Sequence, residues 1–328
     1  MVTREYNTIS KPTFGFVEKV SSNPKLVDEY NYYFHVDQMK DNPEIQALFP
    51  RKFSHGAIHS YENAPWTLQL EYIPLKNAFQ HLIEFNSPIY AIVASLQNAL
   101  DLLHNHESTN QNYYIPASVS LHEMYVVKTE REHEAYLNSP AFIHPPTYLH
   151  GRGKIHFNGK QYEPFEEIWP VVKKKYFTDF MGAEENWAMI HGDCCLSNIL
   201  MDPVSGVVKF IDMRGSFGGR HTEGIYGHII YDYAKLLHSV EGCYENIIYD
   251  RYQYWQAGGE HCEFSDEYNR ETFQKLMFGK FDTATMNYIR AIQATIFIGM
   301  CARHAESPEH QRIMYLQGIK LLNEVIDD

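Results

Sequence analysis

The chain of 328 residues carries 28 Lys+Arg against 41 Asp+Glu, a net charge of −13, with 44% apolar residues and aromatics at 14%. That length and apolar content make one large or two small domains with an ample core, which excludes a disordered or collagen-like chain. The acidic balance argues against broad nucleic-acid binding, because phosphate contacts need a cationic face and Lys173–Lys175 is the one basic run.

In chain order, Phe14–Val20 is apolar and β-branched enough for a strand, and Asn23-Pro24 punctuates its end. Residues Lys25–Met39 follow with helical spacing at Leu26, Tyr30 and Tyr33. A second extended run, Thr67–Ile73, stops at Pro74. Beyond it the period changes to about 3.6, with Val93, Leu96, Leu100 and Leu103 stepping along one helix face. The stretch Pro140–Gln161 holds turn signals at Gly151-Arg152-Gly153 and Asn158-Gly159 and reads as an exposed loop or hairpin. From Phe273 to Ile326 the pattern gives two or three helices, with Ile289, Ile292, Ile296 and Met300 on one stripe. The expected class is therefore α+β, a small β-rich region over residues 1–75 and a larger helical one over 76–328. No run reaches the roughly 18 apolar residues of a membrane helix and MVTREYNTIS lacks a signal peptide's apolar segment, so a soluble cytoplasmic protein without membrane insertion is expected.

The stretch richest in chemistry is Trp187–Gly219. A short strand, Trp187–Ile190, runs into His191-Gly192-Asp193, with Asn198 five positions on. After a turn at Asp202-Pro203 and Ser205-Gly206, a strand over Val207–Ile211 delivers Asp212 at its end. Phosphoryl transfer needs this kind of set: one carboxylate to orient a hydroxyl, and a second carboxylate with an amide oxygen to hold magnesium against nucleotide phosphates. Mg²⁺ takes oxygen ligands and keeps several waters, so one Asp and one Asn suffice. Asp193 is the expected base, and Asn198 and Asp212 the expected Mg²⁺ ligands.

His191-Gly192-Asp193-x4-Asn198 followed by Ile211-Asp212 resembles the catalytic loop and metal aspartate of the aminoglycoside phosphotransferase and choline kinase superfamily, relatives of the protein kinases. More closely, HGDCCLSNIL with FIDMRGSFG resembles kinase-like proteins of bacterial capsule and surface-polysaccharide gene clusters. The resemblance implies a two-lobed protein-kinase-like fold, a small β-rich N-lobe and a large, mainly helical C-lobe. It implies ATP and Mg²⁺ as cofactors and a small-molecule hydroxyl acceptor, a sugar, polyol or amino alcohol. Lys19 matches the lysine that contacts the α/β-phosphates and Glu29 its ion-pair partner, with Lys25, at a helix start, the poorer competitor. Leu70–Pro74 matches the hinge, where Glu71 and Ile73 would bind adenine through their backbone. Asp232, in the helix after the metal loop, would brace the catalytic loop.

Eighteen residues with one glycine, Gly15, precede Lys19, which is short for two strands and a glycine-rich loop, so the nucleotide grip is expected to be weak or built differently. That shortness motivates the rival reading, a pseudokinase serving as a nucleotide-binding or scaffolding protein. Other residues take plainer roles. His191 is expected to brace its loop, and Arg214 either touches phosphate or substrate or holds the loop through an ion pair. The five cysteines form no CxxC pair, and Cys194 and Cys195 read as small buried packing residues in a reducing compartment. His104, His106 and His133 lack the HExxH arrangement and read as surface or core residues. Tyr125, Lys128, Thr129 and Arg131 read as a solvated helix face, and Tyr30, Tyr32 and Tyr33 as core and lobe-interface packing.

Overall fold

The computed structural model describes residues 7–9, 15–53, 65–106, 116–139, 153–180, 183–219, 224–265 and 268–327. Contacts divide the chain into two compact units, Met1–Ala117 with Glu184–Asp232, and Ser118–Ala183 with Tyr233–Asp328. The boundary expected after residue 75 falls inside the first. A strand-rich N-terminal region and a larger helical C-terminal region are both present, so the α+β expectation holds.

In the first unit, β1 (Asn7–Ile9), β2 (Phe16–Ser21), β3 (Lys52–Phe53) and β4 (Trp66–Glu71) form an antiparallel sheet in the order β1-β2-β4-β3. Trp66, Leu68 and Leu70 are buried while Thr67, Gln69 and Glu71 are half-buried, the period-2 pattern of a sheet with one face on a core. Lys19 lies in β2 opposite Leu68 and so points to the same face of the sheet as that core residue. The strand ends where Ser21 Oγ accepts from Asn23 N–H, and Asn23 Oδ1 in turn accepts from Lys25 N–H at the start of α1 (Lys25–Gln38). Helix α1 buries Leu26, Glu29, Tyr32, Tyr33 and Val36 along one face.

Two smaller sheets complete this unit. Val207–Phe210 pairs with Ile199–Asp202, which pairs with β5 (Lys76–Asn77), and Tyr226–His228 pairs with Trp187–Met189. The Asp202–Gly206 turn is closed by Asp202, whose carboxylate accepts from Val204 N–H and Ser205 hydroxyl. Helix Ile89–His104 buries Val93, Leu96, Leu100 and Leu103, the stripe its spacing calls for.

The second unit is mainly helical. Helices Thr283–Cys301 and Pro308–Asp327 form its core, and Ile289, Ile292, Ile296 and Met300 are all buried. Arg270–Phe278 is the third helix of that region. The Asn158-Gly159 signal is a hairpin turn between Ile155–Phe157 and Lys160–Tyr162, and these strands join Tyr252–Gln256 and Glu260–Phe264 in a four-stranded sheet. Gly151 and Arg152 lie outside the described residues.

The expected solvated face over Tyr125, Lys128, Thr129 and Arg131 is corrected. Tyr125 and Thr129 are buried, while Arg131 is exposed. Residues four apart share a helix face, so Tyr125 and Thr129 turn inward together. They do so across a π-helical turn, Glu123–Val127, that runs directly into helix Lys128–Leu137. Among the described residues, no helix is long and apolar enough to cross a membrane.

Candidate active site

The site lies within the first unit and is assembled from β2, α1 and the two loops that flank Ile199–Phe210. Lys19 Nζ, on β2, donates to both carboxylate oxygens of Glu29 on α1, at 2.9 and 2.7 Å. The same ammonium touches Asp212 Oδ1. Burial alone would lower the lysine's pKa, but the charges of Asp212 and Glu29 outweigh it and hold the group protonated well above its usual range. Glu29 answers in the opposite sense: burial, with repulsion from Asp212, pushes it up to about 7 in spite of Lys19. One ammonium is thus shared by two carboxylates.

Asp212 leaves the end of strand Val207–Phe210 at φ 60°, a left-handed conformation that is uncommon outside glycine and that Asp tolerates better than most residues. The backbone on either side is tied to the loop before it. Ile211 N–H donates to Asn198 carbonyl and Arg214 N–H to His191 carbonyl, both at 3.0 Å. Three positions after Asp212, Gly215 (φ 65°) has no room for a side chain, since a Cβ there would sit on the Asp28 carbonyl oxygen. The loop after Asp212 therefore packs against the first turn of α1, one residue before Glu29.

Asp232 organises the other loop. Fully buried, its carboxylate accepts from His191 N–H and Gly192 N–H, each at 2.8 Å, and meets His104 Nε2 at 3.1 Å. His191 Nδ1 accepts from Asp193 N–H at 3.1 Å, which places any ring proton of a neutral His191 on Nε2, and burial keeps its pKa below the usual value. Tyr32 hydroxyl donates to Ile190 carbonyl at 3.0 Å, joining α1 to the start of the loop. The half-buried Asp193 presents its carbonyl to Cys195 N–H at 2.8 Å and to Asn198 Nδ2 at 2.9 Å. Because the amide nitrogen of Asn198 is committed there, Oδ1 is the atom it can offer to a cation. Oδ1 of Asn198 and the carboxylate of Asp212 are hard oxygen donors of the kind Mg²⁺ takes.

Of the residues selected from the sequence, Lys19, Glu29 and Asp212 are in direct contact, and Asp193 and Asn198 sit in the loop bonded to the Asp212 segment. Glu71 and Ile73 are not drawn into that cluster. Glu71 ends β4 with its N–H on Arg51 carbonyl at 2.8 Å. Its carboxylate pairs with Arg51 Nη2 at 3.3 Å, and although burial acts upward, the bonds and charge of Arg51 keep it below the usual range. Half-buried Ile73 follows the strand. Arg214 bonds within its own loop and to the helix after it: Nε donates to Ser216 carbonyl at 2.9 Å and Nη1 to Tyr231 hydroxyl at 3.4 Å. Cys194 and Cys195 are buried and in no disulfide. His104, read as an ordinary surface or core histidine, is the residue that sequence reasoning missed. It stands 128 positions from Asp232, and no local spacing announces that pairing.

No protein-family model and no curated protein matches the sequence. Solved structures do match over the whole chain. The gentamicin complex of APH(2")-IIa aligns with a TM-score of 0.55 at 11% identity over 98% of this chain and 89% of that one. The GDP and kanamycin complex of APH(2")-IIia aligns at 0.53 and 12% identity over 100% and 92%. Choline kinase LicA from Streptococcus pneumoniae aligns at 0.53 and 12% over 99% and 92%. The chain has the protein-kinase-like fold of these phosphotransferases.

Proposed function

We propose that this protein is an ATP-dependent phosphotransferase that moves the γ-phosphate to a hydroxyl of a small molecule. The observation that carries this reading is the Lys19 ammonium held between Glu29 and Asp212, next to a loop in which the buried Asp232 holds His191 and Gly192 and Asn198 is bonded to the Asp193 carbonyl. In this reading Asp193 accepts a hydrogen bond from the acceptor hydroxyl and aims its oxygen along the line of attack. Lys19, kept charged by two carboxylates, neutralises phosphate oxygens. Asn198 Oδ1 and Asp212 would hold Mg²⁺, which when bound draws charge from the phosphates. Positioning and electrostatics supply nearly all of the catalysis in such chemistry.

Nucleotide binding is assigned to residues 1–75, with the backbone of Glu71 and Ile73 as the adenine contacts, and the acceptor site to residues 76–328. The acceptor class we favour is a sugar, polyol or amino alcohol used in surface-glycan synthesis. It rests on the likeness of HGDCCLSNIL and FIDMRGSFG to capsule-cluster kinase-like proteins, and it suits a fold whose neighbours include kanamycin and gentamicin complexes and a choline kinase. Five buried cysteines, none of them in a disulfide, fit a reducing cytoplasm.

The test is a screen of sugars, polyols and amino alcohols with Mg-ATP and Mg-GTP, read as phosphate transfer to the acceptor. Transfer abolished by Asp193→Asn supports the reading. Nucleotide binding without transfer or slow hydrolysis would instead make the chain a pseudokinase.

A further inference from the structure

Tyr33 lies one helical turn after Glu29 on α1, on the same buried face, and is 1% exposed. Its hydroxyl has no hydrogen-bond partner among the described residues, whereas that of Tyr32 beside it donates to Ile190 carbonyl. An unpaired buried hydroxyl destabilises a fold, and phenylalanine would fill the same space without that cost. Burial first, then the charges of Glu29 and Asp212, drive this phenol far above its usual pKa, so it remains an O–H donor at every working pH.

A donor on the helix face of Glu29, within reach of the charges of Glu29 and Asp212, thus has no acceptor among the described residues. The Lys19 ammonium donates to both oxygens of Glu29 and touches Oδ1 of Asp212. Were Lys19 to turn away toward an anion, Glu29 would be left as a buried carboxylate without its cation, a state that carries a large desolvation cost.

We propose that Tyr33 is a positioning residue whose hydroxyl replaces Lys19 on Glu29 when the ammonium leaves that carboxylate for an anionic ligand. The two arrangements share one helix face and differ in which donor Glu29 accepts from. Only the identity of the anion, a nucleotide phosphate, rests on the phosphotransferase reading; the exchange of donors rests on the three side chains.

Denaturant midpoints of the wild type, Tyr33→Phe, Lys19→Met and the double variant form a cycle that reads the exchange directly. With Lys19 in place, Tyr33→Phe is expected to leave the midpoint unchanged or raise it; with Lys19→Met it is expected to lower it. The same shift in both backgrounds overturns the proposal. Lys19→Gln serves in place of Lys19→Met if the latter does not fold. In a second arm, Tyr33→Phe is expected to weaken Mg-ATP binding about 3- to 10-fold and to raise the nucleotide KM with kcat little changed, because it removes a bond made in the bound ground state. Equal affinity for the two proteins counts against Tyr33. A wild type that binds neither Mg-ATP nor Mg-GTP would defeat the phosphotransferase reading while leaving the stability cycle to decide the exchange.

Discussion

The loop around Asp193 and the cluster around Lys19 are built on opposite terms. The loop is fastened by bonds that join backbone groups to side chains: Asp232 to His191 and Gly192 N–H, Tyr32 to Ile190 carbonyl, Asn198 to Asp193 carbonyl. The Lys19 cluster hangs on side-chain charge, with one ammonium between two carboxylates, one of which is pushed up to about 7. A site that must hold an acceptor still while receiving a highly charged donor needs both: a fixed loop to aim the hydroxyl and a movable cation to answer the phosphates.

The contrast can be broken from either side. Asp193→Asn keeps the loop's backbone bonds and is expected to cut turnover about a hundred- to ten-thousand-fold with an unchanged melting temperature. Steady-state kinetics beside a thermal melt check this, and near-normal turnover removes Asp193 from the chemistry. Asp232→Ala acts on the scaffold instead. It strands two buried N–H groups, and denaturant unfolding should show a loss of about 3 kcal/mol or more.

Gly215→Ala tests the seam between the two halves. A methyl there collides with the Asp28 carbonyl and sits at φ 65°, so a loss of about 2–4 kcal/mol is expected in the same assay. The smallest effect concerns pH. Glu29 is pushed up to about 7 by burial, from an ordinary value of 4.5, so the native state holds a proton that the unfolded chain has released. Stability therefore falls as pH rises from about 4.5 to about 7 and is flat on that account above it. Glu29→Gln should flatten the slope in that window; an identical slope in the variant would place the titrating group elsewhere.

Much of this was legible because it is local. The strand around Lys19, the helix after Asn23-Pro24 and the His-Gly-Asp-x4-Asn loop are each specified by neighbours in sequence, and the Asn158-Gly159 pair announced its hairpin. Phe14, counted into the first strand, lies outside the described residues. What escaped is non-local or depends on a missing bond. His104 meets Asp232 only because helix Ile89–His104 ends beside the loop. Tyr33 looked like packing, which it is, but nothing in a tyrosine's spacing reveals that its hydroxyl lacks a partner. At Tyr125 and Thr129 the polar neighbours Lys128 and Arg131 suggested an outward face, and the inward stripe became apparent only from burial.

The left-handed backbone at Asp212 has a consequence for experimental design. Asparagine tolerates this conformation about as well as aspartate, so Asp212→Asn deletes a charge while sparing the main chain. Alanine pays a steric penalty there in addition to losing the carboxylate, and its phenotype would mix misfolding with lost function. For this position the amide, and not the customary alanine scan, is the substitution that isolates chemistry.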